Sequence, residues 1–482
     1  MTRKSPLDVA DGALGQVVER LTVSHHRRRL RRVGWSTAID PTPAGWAAGD
    51  PPPRPANTLE VLIDGADALR AISVGIANAR SHLHLTGWHI TPDFALTRDE
   101  KPTILRQLLA DVAARVPVRV LIWAGAPLPV LRPWRGDVRK VHEQLTAGAR
   151  IQCAMDARER PMHCHHEKTI VIDDQVAFVG GIDLTSFNGD RWDTQEHAPR
   201  GAVGWHDVAT RIAGPAVQDV ADNFAMRWQA ITGEKLPPVA TPSPAGDVEL
   251  QVVRTVPDGM YPQLPRGDFR ILESYVRALR AAQRFIYLEN QFLWSPEILT
   301  VLREKLARPP APDFRIVLVL PARPDSGGDD TRGQLGTLVQ ADGDAGRLLA
   351  CTLYAIGGEK DWPVYVHAKV GIVDDAWLTI GSANLNEHSL FNDTEMNLVT
   401  HDARLAQQTR LRLWTEHLQR PLKEVAGDPA AVIDGLWKPI AQEQGERRER
   451  GERATHRLTT LAGVSRRSRL LLGPLQGLVV DA

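Results

Sequence analysis

The chain has 482 residues, enough for more than one hydrophobic core, because single cores stop growing at roughly 250–300 residues. Its 58 lysines and arginines balance 58 aspartates and glutamates, so no global field draws it to nucleic acid or anionic membrane, and any such attraction has to be local. Three cysteines (Cys153, Cys164, Cys351) exclude a disulfide framework and fit a reducing compartment; with no long apolar run and no apolar signal core at the N-terminus, a cytoplasmic protein is expected, with a peripheral membrane position open.

Residues 1–56 predict an amphipathic helix with a basic knot, "HHRRRLRR" (His25–Arg32), and then a Pro/Gly/Ala-rich arm. The knot reads either as solvated helix surface or as a docking site for lipid headgroups. From residue 57 short apolar runs rich in β-branched residues ("LEVLI", "HLHLTGW", "VRVLIWA") alternate with stretches of 3.6-residue periodicity ("GADALRAISVGIANAR", "TILRQLLADVAARV"). Such alternation predicts a mostly parallel sheet with helices on its faces. A proline-rich break, "LPPVATPSPAG" (Leu236–Gly246), interrupts the pattern, after which "VELQVV", "FRILESYVRALRAAQ", "RFIYLEN", "PEILTVLREKLA" and "FRIVLVL" restart it. The predicted division is an N-terminal lobe over 57–240 and a C-terminal lobe with an extension over 247–482.

Aligning the halves on their strands places "HEKTIVIDDQVAFVGGIDL" (from His166) over "HAKVGIVDDAWLTIGSANL" (from His367). Both read H-x-K-x4-D-x6-G-[GS]. Only ten of the 58 basic residues are lysine, so a lysine held at the same place in both copies is informative. Strand alternation puts His166 with Lys168, and His367 with Lys369, on one face each. Asp173 and Asp374, seven residues on and at a turn, are counted with the motif but expected to order the turn. The pairs Gly180–Gly181 and Gly381–Ser382 let backbone approach a ligand, and Asp183 and Asn384 follow at equivalent places. His163, Cys164 and His165 have no counterparts beside His367, so the histidine density there is not read as a metal site; neither metal nor cofactor is expected.

Two His/Lys pairs converge into one site if the lobes pack about a pseudo-twofold axis. Two lysines clamping non-bridging oxygens, with one imidazole as nucleophile and the other as general acid, describe phosphodiester chemistry through a phosphohistidine. Asp207 ("GWHDV") and Glu395 ("NDTEMNL") stand at matched places, where each could fix a histidine tautomer or could be a plain surface carboxylate.

With its two H-x-K-x4-D copies, "YLENQFLW" (Tyr287–Trp294), "GWHITPDFAL" and "GSANLNEHSLFNDTEMNL", the chain from about Asn57 onward resembles the phospholipase D superfamily, and phospholipase D proper within it. The resemblance implies an α/β fold of two similar α/β/α sandwich lobes with one active site between them, His166 as nucleophile and His367 as general acid, and Asp207 and Glu395 orienting the histidines, each serving the opposite lobe. Glu289, Asn290 and Gln291 would flank the pocket, with Gln291 a substrate contact beside Gly180, Gly181, Gly381, Ser382 and Asn384. Asp183 stands where other members carry asparagine. The regulation of eukaryotic relatives by phosphoinositides and small GTPases is not expected, since their preceding lipid-binding modules have no counterpart in this sequence.

The implied activity is hydrolysis, with transfer to alcohols, of membrane phospholipids such as phosphatidylcholine by a monomer that binds no nucleic acid. Alternatives are a phosphatidyltransferase of the cardiolipin-synthase type, a nuclease-type phosphodiesterase, or a non-catalytic lipid-binding scaffold, the last disfavoured by intact H, K and D in both copies. Specificity is expected from the loop Pro321–Gly336, and Trp88, Trp192, Trp205 and Trp294 are read either as contacts for acyl chains or choline or as core.

Overall fold

A computed structural model describes residues 6–129, 131–161, 163–322, 328–343 and 345–461. Each half of the chain forms a sheet with the same strand order. In the first half the order across the sheet is Arg54–Ile63, Val208–Ala213, Val176–Gly180, Thr169–Ile172, Leu83–Gly87, Val118–Trp123 and Ile151–Asp156. In the second it is Val248–Val256, Glu395–Thr400, Trp377–Gly381, Val370–Val373, Phe285–Glu289, Arg315–Val319 and Leu348–Ala355. The sheets join where Arg54–Ile63 pairs antiparallel with Val248–Val256.

The expectation of mostly parallel sheets is corrected. Only the last three strands of each order run parallel, and they are the ones connected through helices. The motif strands return through two-residue turns, which forces antiparallel pairing. At "IDDQ" and "VDDA" both central aspartates have positive φ (58° and 54°, then 55° and 53°), the geometry that matches the twist of a hairpin and that aspartate tolerates.

Helices cover both faces of each sheet. Asp64–Ala77 and Leu105–Ala113 bury Leu69, Ile72, Ile76, Leu105 and Leu109 against one face of the first sheet, while Val217–Thr232 packs Val217 and Val220 on the other. Arg270–Ala281 and Pro296–Ala307 cover the second sheet on one side, and Ala403–Leu418 with Trp414 covers the other. Core side chains of both lobes share clusters, Val61 and Val208 packing with Phe285 and Tyr287.

The N-terminal helix, Pro6–Val33, differs from both readings of its basic knot. His26 and Arg29 are buried: His26 Nδ1 lies 2.8 Å from Glu297 Oε1, and Arg29 donates to Asp258 and Asn392, both at 2.8 Å. His25, Arg27, Arg28, Arg31 and Arg32 stay exposed. Part of the knot is therefore a docking face on the C-terminal lobe, because two of its seven basic groups find acidic partners there. The arm that follows is also held, Gln251 donating to the Ala47 carbonyl at 2.8 Å, and the first strand begins at Arg54, ahead of the expected boundary.

Candidate active site

The motif histidines sit where each lobe reaches into the other. Tyr365–Val366 pairs in parallel with Trp205–His206, and His165 bridges in parallel to Thr394. The same exchange extends to the backbone of the histidines, with His166 N donating to the Thr394 carbonyl at 2.9 Å and His367 N to the His206 carbonyl at 2.8 Å. The residue after each acceptor is a carboxylate. As a result His166 Nδ1 lies 2.9 Å from Glu395 Oε1, and His367 Nδ1 lies 2.6 Å from Asp207 Oδ2. Each dyad has one member from each lobe.

Around the dyads the site is buried and cationic. Lys168 Nζ donates to the His166 carbonyl at 2.8 Å and pairs with Asp183 at 3.2 Å; Lys369 Nζ donates to the His367 carbonyl and, at 3.1 Å, to Gln291 Oε1. Asp183, whose contact the sequence left open, thus neutralises Lys168, while the equivalent Asn384 donates to Gln291 at 3.2 Å. Burial, then Lys369, Lys168, Arg191 and His166, pushes the His367 imidazole well below its ordinary value. Burial lifts Asp207 to about 6 against the pull of Lys369, and lifts Glu395 well above the carboxylate range against Lys168 and the hydroxyls of Ser382 and Ser389. Both hydroxyls donate to Glu395.

Several expected site residues do other work. Asp173 accepts from Arg80 N, Ser81 N and His82 N at 3.0, 2.6 and 3.0 Å, and Asp374 from Gln283 N, Arg284 N and Phe285 N at 2.6, 2.8 and 2.8 Å. They stand at the far end of the motif strands, about 20 Å from the histidines at the rise of an extended chain, and belong to the hairpin. Asp173→Ala is expected to lower stability by about 1–3 kcal/mol while leaving turnover per folded molecule unchanged, as denaturant unfolding and active-site-normalised kinetics would show.

The glycines make room for protein. A Cβ at Gly181 would stand 2.2 Å from the Asp207 carboxylate, one at Gly381 would stand 2.2 Å from Asn397, and one at Gly180 would meet the Ala209 backbone. Their smallness lets the strand carrying each carboxylate come close. Ser382 serves Glu395, and Gln291 also donates to Tyr365 at 2.8 Å. Glu289 points away to His206 and His417, and Asn290 Oδ1 accepts from Leu385 N and Phe292 N.

His163 and Cys164 are held by the other lobe, His163 Nδ1 facing His388 Nδ1 at 2.9 Å and Cys164 N donating to Asp393, while His165 Nε2 lies 3.0 Å from Asp156. Trp88, Trp205 and Trp294 are buried; the Trp205 ring lies against Arg191 at 3.3 Å and 4.4 Å from the His367 ring, so its face is taken by a protein cation. Residues 323–327 of the expected specificity loop lie outside the described residues, and residues 328–336 are helix rather than loop, within Gly328–Asp342. Arg191 was missed: it stands in "GDRWD", with no repeat partner or motif to single it out.

Residues 275–415, which include the second motif, match the family model described as "Cardiolipin synthase, PLD-like domain". Phospholipase D A of Dictyostelium discoideum is 25% identical over 460 residues, covering 76% of this chain and 36% of that protein. Phospholipase D alpha 4 of Arabidopsis thaliana is 25% identical over 481 residues, covering 71% of this chain and 62% of its own. The chain is thus similar to members of the phospholipase D superfamily. The crystal structure of phosphatidylserine synthase from Haemophilus influenzae shares the fold, with a TM-score of 0.51 and 12% identity over 82% of this chain and 93% of that one. The chain thus spans about a third to two thirds of the length of these curated superfamily relatives. Among the described residues no helix is long and apolar enough to cross a membrane.

Proposed function

We propose that the protein is a phospholipase D, acting at membrane surfaces on phospholipids such as phosphatidylcholine and releasing phosphatidic acid. The observation that carries this reading is the pair of cross-lobe dyads, each imidazole held through Nδ1 by a carboxylate of the other lobe, beside Lys168 and Lys369. Fixing Nδ1 commits Nε2 to chemistry. His166 Nε2 attacks phosphorus and the bond from phosphorus to the headgroup oxygen breaks. His367 Nε2 gives its proton to the leaving alcohol, then takes one from water or a second alcohol, whose oxygen displaces His166 from phosphorus. The lysines hold the non-bridging oxygens as charge builds on them. The two sheets read as two lobes, over 57–240 and 247–482, with the site at their junction, in a monomer of the cytoplasm or its membrane face.

The family model's description favours a second reading, transfer of a phosphatidyl group to a lipid alcohol. Both readings share the phosphohistidine and differ in the acceptor. Incubation with phosphatidylcholine vesicles and ethanol is expected to give phosphatidic acid and phosphatidylethanol. Turnover of phosphatidylglycerol vesicles to cardiolipin, with phosphatidylcholine untouched, would replace the first reading by the second.

A further inference from the structure

Behind His367 lies a second, wholly buried cluster that the phosphodiester chemistry does not use. Asp64, at the start of the helix Asp64–Ala77, and Glu416, in the helix Ala403–Leu418, meet His197 and His206, and one ligand atom of each lies within 4.8 Å of all the others. His206 Nδ1 is 2.8 Å from Asp64 Oδ1 and 3.2 Å from Glu416 Oε1; His197 Nε2 is 3.1 Å from Glu416 Oε1 and 4.0 Å from Asp64 Oδ2. Four ligands held about 2.0–2.1 Å from a tetrahedral zinc ion stand roughly 3.3 Å apart, within the range of these four separations.

Two further observations point to a cation. Asp64 Oδ2 and Glu416 Oε2 are buried and accept no hydrogen bond, although a buried carboxylate oxygen without a partner is costly. The outer ring nitrogens are also arranged as ligating histidines require: His206 Nε2 lies 2.8 Å from Glu289 Oε2, and His197 Nδ1 lies 3.0 Å from Asp193 Oδ2. Such carboxylates fix the tautomer and strengthen the inner nitrogen as a donor. The charges agree as well. Asp64, Asp193 and Glu416 together face the guanidinium of Arg457, and Asp193 also pairs with Arg200, so the cluster is rich in carboxylate that a divalent ion held by neutral imidazoles would offset.

We propose that Asp64, His197, His206 and Glu416 bind a structural divalent cation, zinc best matching two imidazole nitrogens and two carboxylate oxygens. The site lies outside the segment His163–His166 where the sequence invited and then discouraged a metal reading. Its role is positioning: the His206 carbonyl accepts from both His367 N and Ala368 N, and the next residue, Asp207, holds the His367 ring.

The proposal stands apart from the phosphodiester reading, since its test needs no substrate. Full-length protein grown with zinc and purified without chelator is expected to carry one zinc per chain by mass spectrometry. X-ray absorption at the zinc edge should show two imidazoles, oxygen ligands and no sulfur. His197→Ala should lose the metal, while His163→Ala and His82→Ala, each at another histidine–carboxylate cluster, should keep it. Because His197→Ala could misfold, cobalt uptake by the unmutated protein gives a second measurement, with the intense visible bands of a tetrahedral site expected. Protein that carries no zinc and takes up no cobalt would overturn the proposal and assign the cluster to ion pairs with protonated imidazoles. Sulfur at the edge, or metal lost from His163→Ala and kept in His197→Ala, would overturn it too.

Discussion

His166→Ala should lower turnover by roughly 10⁴-fold or more and leave no trapped phosphoenzyme, because it removes the atom to which phosphorus is transferred. His367→Ala should behave differently. With an alcohol leaving group it also loses nearly all turnover, but with a nitrophenol, which departs without a proton, the phosphoenzyme should form and then accumulate, since nothing activates water. The two dyads are closely equivalent, each an imidazole held at 2.9 or 2.6 Å by a carboxylate from the opposite lobe. What separates them is the residue beside each lysine: Asp183 pairs with Lys168 at 3.2 Å, whereas Asn384 is neutral and Lys369 donates to an amide oxygen. The unbalanced positive charge therefore lies on the side of His367. A phosphodiester brought between the lysines cancels that charge and restores to His367 the proton it must give, which supports the same division of roles. Acid-quenched label that survives in His166→Ala and vanishes in His367→Ala would reverse the assignment.

The pairing of histidine and lysine was legible because strand alternation is local: His166 and Lys168, or His367 and Lys369, need only their own strand to share a face. The duplication made the pairing credible, and the matched strand orders of the two sheets carry the same signal in three dimensions. The motif aspartates were legible as turn residues from their odd offset, although they travel with the catalytic pattern. The glycine pairs misled, because a small residue marks a close approach without saying what approaches, and here it is the strand carrying Asp207 or the side chain of Asn397. The buried cluster around His206 was out of reach: its members come from five separate stretches of chain, at residues 64, 193–197, 206, 289 and 416–417, and no period or spacing joins them. The same holds for His26 and Arg29, whose burial depends on acids hundreds of residues away.

Asp207→Asn should leave the fold intact and lower turnover on alcohol leaving groups by about 10²- to 10⁴-fold, the range seen when the carboxylate behind a catalytic imidazole becomes an amide. Burial, both lysines, Arg191 and His166 all push His367 towards losing its proton, and Asp207 is the anion that opposes them. Burial lifts Asp207 to about 6, so dyad and proton titrate together as a unit. In the unmutated enzyme the acid step needs that one proton, so kcat/KM falls as pH rises through the point where the dyad loses it. With an amide at position 207 the imidazole holds the proton without an anion's help, and the fall should move to lower pH. A nitrophenol leaving group needs no proton, so formation of the phosphoenzyme from such a substrate should keep most of its rate in Asp207→Asn. Glu395→Gln, which disturbs the nucleophile instead, should slow that step for both kinds of leaving group. Equal losses on alcohol and nitrophenol substrates in Asp207→Asn would place Asp207 on the nucleophilic half of the reaction, and with it His367.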